Sequence, residues 1–318
     1  MATQVSPGIV VQERDFTNSR LQETITNIGA IAGPFLQGEV GVAKLITSEK
    51  DLVETFGRPT DDNYEYWYTA SEFLNYGGNL QVARIADASG SHLTNANSAG
   101  TTTVKVNNPS DFEANIEATN QAYDFVAKTP GTWGNSLKVV TIDAGADQIL
   151  TLAGGIAFTK GDAITDGTAT GVVYETNSGD TTKVAVVLDA GSAKFVKNGT
   201  VNTENVDAVA DWYDEQYAIA GSLKWNALAP RPGTSPYAAA RGGKYDEIHV
   251  AVIDEGGTVS GTANTVLEKM LFLSKAPGAK TTEGESNHYK QVVKGRSKYV
   301  YLAAYEDSTD VYSYTNSV

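Results

Sequence analysis

The sequence predicts a mixed α+β chain of several domains: small α/β sheet units, an inserted antiparallel β-rich module and an extended N-terminal arm. Three observations carry this. Between Thr24 and Ala86, strand and helix patterns alternate and are punctuated by capping residues. Two hydrophobic spines, Leu137–Asp143 and Ile248–Asp254, share one alternation and both end in aspartate. The sequence between them holds short β-rich runs cut by Lys160-Gly161-Asp162, Asp166-Gly167 and Ser178-Gly179-Asp180, which is hairpin turn chemistry. A length of 318 residues suits two or three compact units.

In chain order, Ser6-Pro7-Gly8 is a turn signal, and Ile9-Val10-Val11-Gln12-Glu13 is a short β-branched strand followed by aperiodic polar sequence to Glu23. A strand so isolated needs a sheet edge, in its own chain or a neighbour's. Residues 1–23 are therefore read as an extended arm. Thr24–Ala32 and Val42–Ile46 read as strands. Ser48 is an N-cap, with Asp51 three residues on, for a short helix carrying Leu52, Val53 and Phe56 and stopped by Gly57. Asn63–Tyr76 reads as a second helix closed by Gly77-Gly78, and Leu80–Ala86 as a strand, so that 24–90 forms an α/β unit.

Asp87–Thr101 has linker composition. Thr101–Val106, Tyr123–Ala127 and Ser136–Asp143 read as strands, with Glu247–Asp254 in one sheet with the last of these. A second sheet unit is therefore assigned to 91–143 and 245–318, interrupted by an inserted module at 144–244. Within that module Ile156–Phe158, Gly171–Glu175, Lys183–Leu188 and Lys194–Val196 read as strands and Asn205–Tyr217 as a helix. Pro230, Pro232, Gly233 and Pro236 mark the return crossing. Asn264 reads as the cap of a helix over Thr265–Ser274, whose apolar side is Val266, Leu267, Met270, Leu271 and Leu273. Ser297–Tyr305 reads as a final strand.

Composition excludes whole classes of function. Hydrophobic residues at 41% supply a core, and charged residues at 19% leave a surface more polar than charged. The net charge of −14 repels phosphate backbones and anionic lipid, and no basic patch offsets it, so neither nucleic acid nor membrane insertion is expected. With no cysteine there are no disulfides, thiolate metal sites or thiol nucleophiles. No signal peptide opens the chain, and no apolar run approaches the roughly 18 residues that cross a bilayer.

The chemistry-bearing residues form no catalytic set. No nucleophile elbow, His-Glu-x-x-His or phosphate-cradling loop occurs; Arg241-Gly242-Gly243-Lys244 lacks the upstream glycine, and Tyr245 stands where a metal-binding hydroxyl belongs. His249 reads as a core histidine, and His92 and His288 as solvated. Asp61-Asp62 and Glu306-Asp307 lack the alternating ligands of a calcium loop. Tyr64-Tyr66-Trp67-Tyr68 reads as helix packing plus a protein interface. No enzyme activity, metal or cofactor is expected.

Several blocks carry a family likeness. Ser6–Glu13, Ile31-Ala32-Gly33-Pro34-Phe35 with Gly38, and Leu45–Ser48 leading into Leu52–Thr60 resemble the N-terminal region of contractile phage tail sheath proteins. Phe73–Arg84, Pro130–Asn135, Gly261-Thr262 and Val266–Glu268 with Ser274–Ala276 resemble later blocks of the T4-like sheaths, in the same order. The resemblance implies a structural virion subunit that forms stacked hexameric rings of identical copies around a tail tube protein. It further implies contacts with baseplate and tail terminator proteins, and assembly in the host cytoplasm. It assigns Ile9, Val10 and Val11 to strand donation between subunits. Such sheaths continue into a tube-lining domain with a second arm, so the chain is expected to be an N-terminal portion or a shortened relative. The competing expectation is a binding module whose β-rich insertion recognises a host-surface glycan or protein.

Overall fold

The computed structural model describes residues 28–86, 94–99, 103–117, 123–143, 145–176, 180–216 and 218–303. Helices and strands are mixed, and the strands fall into four sheets. The first sheet is built from β1 (Ile28–Gly33), β2 (Ala43–Ile46) and β3 (Asn79–Arg84), with α1 (Glu49–Phe56) and α2 (Tyr64–Asn75) between β2 and β3 in the chain. β3 is central, parallel to β1 and antiparallel to β2. The helix signals act as the sequence implies: Ser48 Oγ accepts from the Asp51 N–H at 3.2 Å, and Gly57 leaves the helix at φ +82°. Leu52, Phe56, Trp67 and Leu74 then pack on Ile46, Leu80 and Val82. The Trp67 indole N–H donates to the Gly57 carbonyl at 2.9 Å, which ties α2 to the end of α1.

After α3 (Pro109–Phe112) and a π turn at Glu113–Glu117 come β4 (Phe125–Ala127), a 3-10 turn at Thr132–Ser136 and β5 (Leu137–Asp143). Of the strand expected over Thr101–Val106, the described residues keep one bridge, Val104 to Asn95. Asn95 shows why. Its buried side chain accepts from the Val106 N–H and donates to the Val106 and Ala127 carbonyls, so a side chain does the work of a ladder. The linker expected at 87–101 is thus structured where it is described.

The next six strands form one antiparallel sheet. They are β6 (Gln148–Leu152), β7 (Ala163–Thr165), β8 (Thr170–Thr176), β9 (Lys183–Leu188), β10 (Thr200–Val201) and β11 (Glu204–Asp211), in the order β10-β11-β6-β9-β8-β7. β11 replaces the helix expected at Asn205–Tyr217. Val206 and Val209 sit three apart, as in a helix, only because a bulge between Val206 and Ala208 shifts the pairing with β6. Ile156–Phe158 and Lys194–Val196 are not strands. Their apolar residues plug the sheet from loops: Phe195 is buried in its core, with Ile156 and Phe158 packed against it.

The chain returns through α4 (Trp225–Leu228) and α5 (Pro236–Ala239) into β12 (Glu247–Asp254), β13 (Thr265–Ser274), α6 (Tyr289–Arg296) and β14 (Val300–Leu302). β12 pairs with β5 from Ile248↔Asp143 to Asp254↔Leu137, so the two similar spines do lie side by side. β13 flanks β12 on its other side, and β14 pairs with β4. The helix expected at Thr265–Ser274 is therefore a strand. Two register shifts against β12 bring residues three and four apart onto one side and imitate a helical period. Asn264 does not cap a helix: it takes φ +63° just before the strand. α6 was not anticipated, and the final strand is shorter than expected, with 304–318 outside the described residues.

Candidate assembly surface

The residues assigned to strand donation, Ile9, Val10 and Val11, lie outside the described residues. What can be read is the surface around them. Each sheet ends in strands with one hydrogen-bonded neighbour: β1 and β2 in the first, β10 and β7 in the second, β13 and β5 in the third. Such edges carry free backbone donors and acceptors and accept a further strand. Beside β5 the edge opens on a groove of about 640 Å3, lined by Leu137, Val139 and Thr141 of β5 and by Asn97, Phe125 and Val126 opposite. β5 is anchored at both ends. Ser136 Oγ donates to the buried Asp254, whose carboxylate also accepts from the Val259 and Ser260 N–H groups, and Lys275 Nζ lies 3.4 Å from Asp143.

Buried cations join the units. Arg84, at the end of β3, is 5% exposed and donates to the carbonyls of Phe35 at 2.8 Å, Leu36 at 3.0 Å, Gly38 at 2.9 Å and Pro130 at 2.6 Å. Its planar fork satisfies four acceptors from two separate loops, which fixes the first sheet against the Pro130 turn. Burial pulls the guanidinium down to about 10, so it is charged at neutral pH. Lys128 donates to the Lys294 carbonyl at 2.9 Å and to that of Ser297, at the negative end of α6, with its ammonium 4.5 Å from the Tyr301 ring centre. Burial lowers its pKa as well. Neither Arg84 nor Lys128 announces this role in the sequence, because the acceptors are backbone carbonyls far away along the chain.

The histidines and acids singled out by sequence do not converge. His249 is fully buried in β12: Phe272 N–H donates to its Nδ1 at 3.0 Å, so the proton sits on Nε2 and is given to the Pro230 carbonyl at 2.8 Å. His288 is half-buried rather than solvated, edge-on to Tyr289 at the start of α6. Asp61 and Asp62 lie in an exposed turn, and Arg241 stacks on the Tyr237 ring at 3.7 Å. His92, Glu306 and Asp307 lie outside the described residues. In the tyrosine cluster Trp67 is core, while Tyr64, Tyr66 and Tyr68 are exposed. Among the described residues no group of three or more histidine, aspartate or glutamate side chains is placed to hold a metal ion, and no helix is long and apolar enough to cross a membrane. The arrangement suits contact between macromolecules: free edges and exposed rings on units locked by buried hydrogen bonds.

Comparison with known proteins points the same way. No family model matches the chain. The tail sheath protein of Salmonella phage ViI is 24% identical over 331 aligned residues, covering 96% of this chain and 50% of that protein. The tail sheath protein of Vibrio phage KVP40 is 28% identical over 260 residues, 79% of this chain and 36% of its own length. That of Enterobacteria phage T4 is 40% identical over 85 residues, 27% of this chain and 13% of its own length. The chain thus spans half or less of the length of these relatives. With three alignments to proteins of one kind, one of them across nearly its whole length, the chain is a relative of phage tail sheath proteins.

Proposed function

We propose that the chain is a structural subunit of a contractile phage tail sheath. Copies stack as hexameric rings around a tail tube, bounded by baseplate and terminator proteins, and contraction drives the tube through the host envelope. The observation that carries this is the alignment with a tail sheath protein over 96% of the chain. The physics requires no bond chemistry. A head-to-tail interface that does not close on itself generates a helix, and strands lent to neighbouring edges keep the lattice connected while rigid subunits re-pack from a metastable state to a more stable one. Arg84, Lys128 and the Asp254 network support the rigidity this demands, since a subunit that deformed would dissipate the free energy of re-packing.

Residues 1–23 act as the arm and Ile9, Val10 and Val11 as the strand it donates. Units at 24–90 and at 91–143 with 245–318 form the body, and 144–244 projects from it. Deleting 1–23 from the subunit as the phage produces it should leave the subunit folded by circular dichroism and abolish ordered sheath in electron micrographs. Normal tubes from the deletion would refute the assignment.

A further inference from the structure

The sheet β1-β3-β2 carries its helices on one side only. On that side a Cβ on Gly29 would strike the Phe73 ring and one on Gly33 would strike Tyr66, so the helices sit tight against the strands. The opposite side consists of Ile28, Ala30 and Ala32 of β1, Ala83 of β3, and Ala43 and Leu45 of β2, brought onto one face by the strand registers. Ile28 is 56% exposed and Leu45 48%, with Gln81 between the outer strands and no ionisable residue among these positions. A water-facing sheet side is normally polar, and parallel pairs such as β1 and β3 occur with both faces covered. This side is neither polar nor, among the described residues, covered.

We propose that the bare face is covered by a second copy of this chain, which lays the tyrosine stripe of its own α2, Tyr64, Tyr68 and Tyr76, across it. Charge selects the occupant: at a net charge of −14, two copies approach only where charge is absent, and this face has none. The stripe supplies the matching surface. Its rings are 51%, 54% and 88% exposed, and tyrosine is favoured where an apolar body meets a protein partner. Alanine positions let the partner helix approach closely, which completes the helix-sheet-helix layering that a parallel pair demands. Because α2 lies on the other side of the same sheet, each copy offers one bare face and one stripe pointing oppositely. The contact is heterologous and extends from copy to copy. The inference rests on the sheath reading only in requiring that copies associate head to tail.

The absence of cysteine permits a direct test. Ala30→Cys and Tyr68→Cys are exposed substitutions on opposite sides of one sheet, so a disulfide between them forms only between copies. Under mild oxidation the double variant should give a ladder of dimers, trimers and longer chains, several-fold faster than a control pairing Ala30→Cys with the exposed Lys194→Cys. A mixture of the two single variants should stop at dimers. The proposal is overturned by absence of the ladder, by a control that matches it, or by Ala30→Cys alone dimerising as fast as the mixture, which would mean that bare faces meet each other. The sheath reading is judged separately, by tubes formed with and without residues 1–23, so each can fail while the other stands.

Discussion

A guanidinium that is 5% exposed and gives four hydrogen bonds to main-chain carbonyls holds two loops at once, and its removal leaves those acceptors without a partner. Arg84→Met should therefore cost about 3 kcal/mol or more, read as a lower urea midpoint. Arg84→Lys should recover only part of it, because one ammonium cannot span four carbonyls in a plane. His249 works through the opposite state, the neutral ring. Burial holds its pKa below the ordinary 6.5, so on acidification the unfolded chain takes up the proton first. The stability His249 confers is complete above about pH 6.5 and declines as the pH falls below that value. A protonated ring would set an Nδ1–H against the Phe272 N–H. Urea midpoints measured between about pH 7.5 and 5.5 should thus fall in the wild type and fall less steeply in His249→Asn, which keeps an acceptor for Phe272 and loses the titration. Equal slopes would remove His249 from the account.

Elements differ in how much of their cause is local, and this decided what could be read from the sequence. α1 was legible end to end because its signals, Ser48, Asp51 and Gly57, act on backbone groups within a turn of themselves. Ser48→Ala should cost about 1 kcal/mol by thermal unfolding. The pairing of β5 with β12 was legible because both strands alternate without interruption. β13 was not. Its bulges, one of them at Phe272 with φ +55° and its N–H held by His249, belong to the pairing with β12 and leave a helix-like spacing in the sequence. Asn264, mistaken for a cap, sits at φ +63°, a left-handed conformation that asparagine and glycine tolerate. Asn264→Gly should be nearly neutral, whereas Asn264→Val should lose about 1–2 kcal/mol and lower the thermal midpoint. Asn95, Arg84 and Lys128 escaped sequence reading for the same reason as β13: what each does is set by partners distant in the chain.

At the scale of the molecule, the six-stranded sheet is the part that can be removed with least damage. Its core, from Leu150 through Phe195 to Val206, closes on itself. Its two ends meet: Gln148 pairs with Asp211, and the Trp212 N–H donates to the Asp147 carbonyl at 3.2 Å. Trp212, Tyr213 and Trp225 belong elsewhere, since they pack with Ile142, Ala251 and Ile253 of the central sheet. The cut that respects the packing therefore runs from Asp147 to Trp212, bridged by a short Gly-Ser linker. Cutting at the ends of the longer 144–244 segment would instead strip the aromatic cover from β5 and β12. Excision of 148–211 breaks the Tyr174 hydroxyl bond to Asp143 at 3.2 Å and the Tyr174–Trp212 ring contact, a loss of no more than about 4 kcal/mol. The shortened chain should keep its near-ultraviolet tryptophan circular dichroism and unfold in one cooperative urea transition. If the module only projects from the sheath, phage carrying the excision should still build tubes. A molten remainder that binds hydrophobic dye would show that the outer sheet is required to form the body, and a folded remainder without tubes would place it within the lattice contacts.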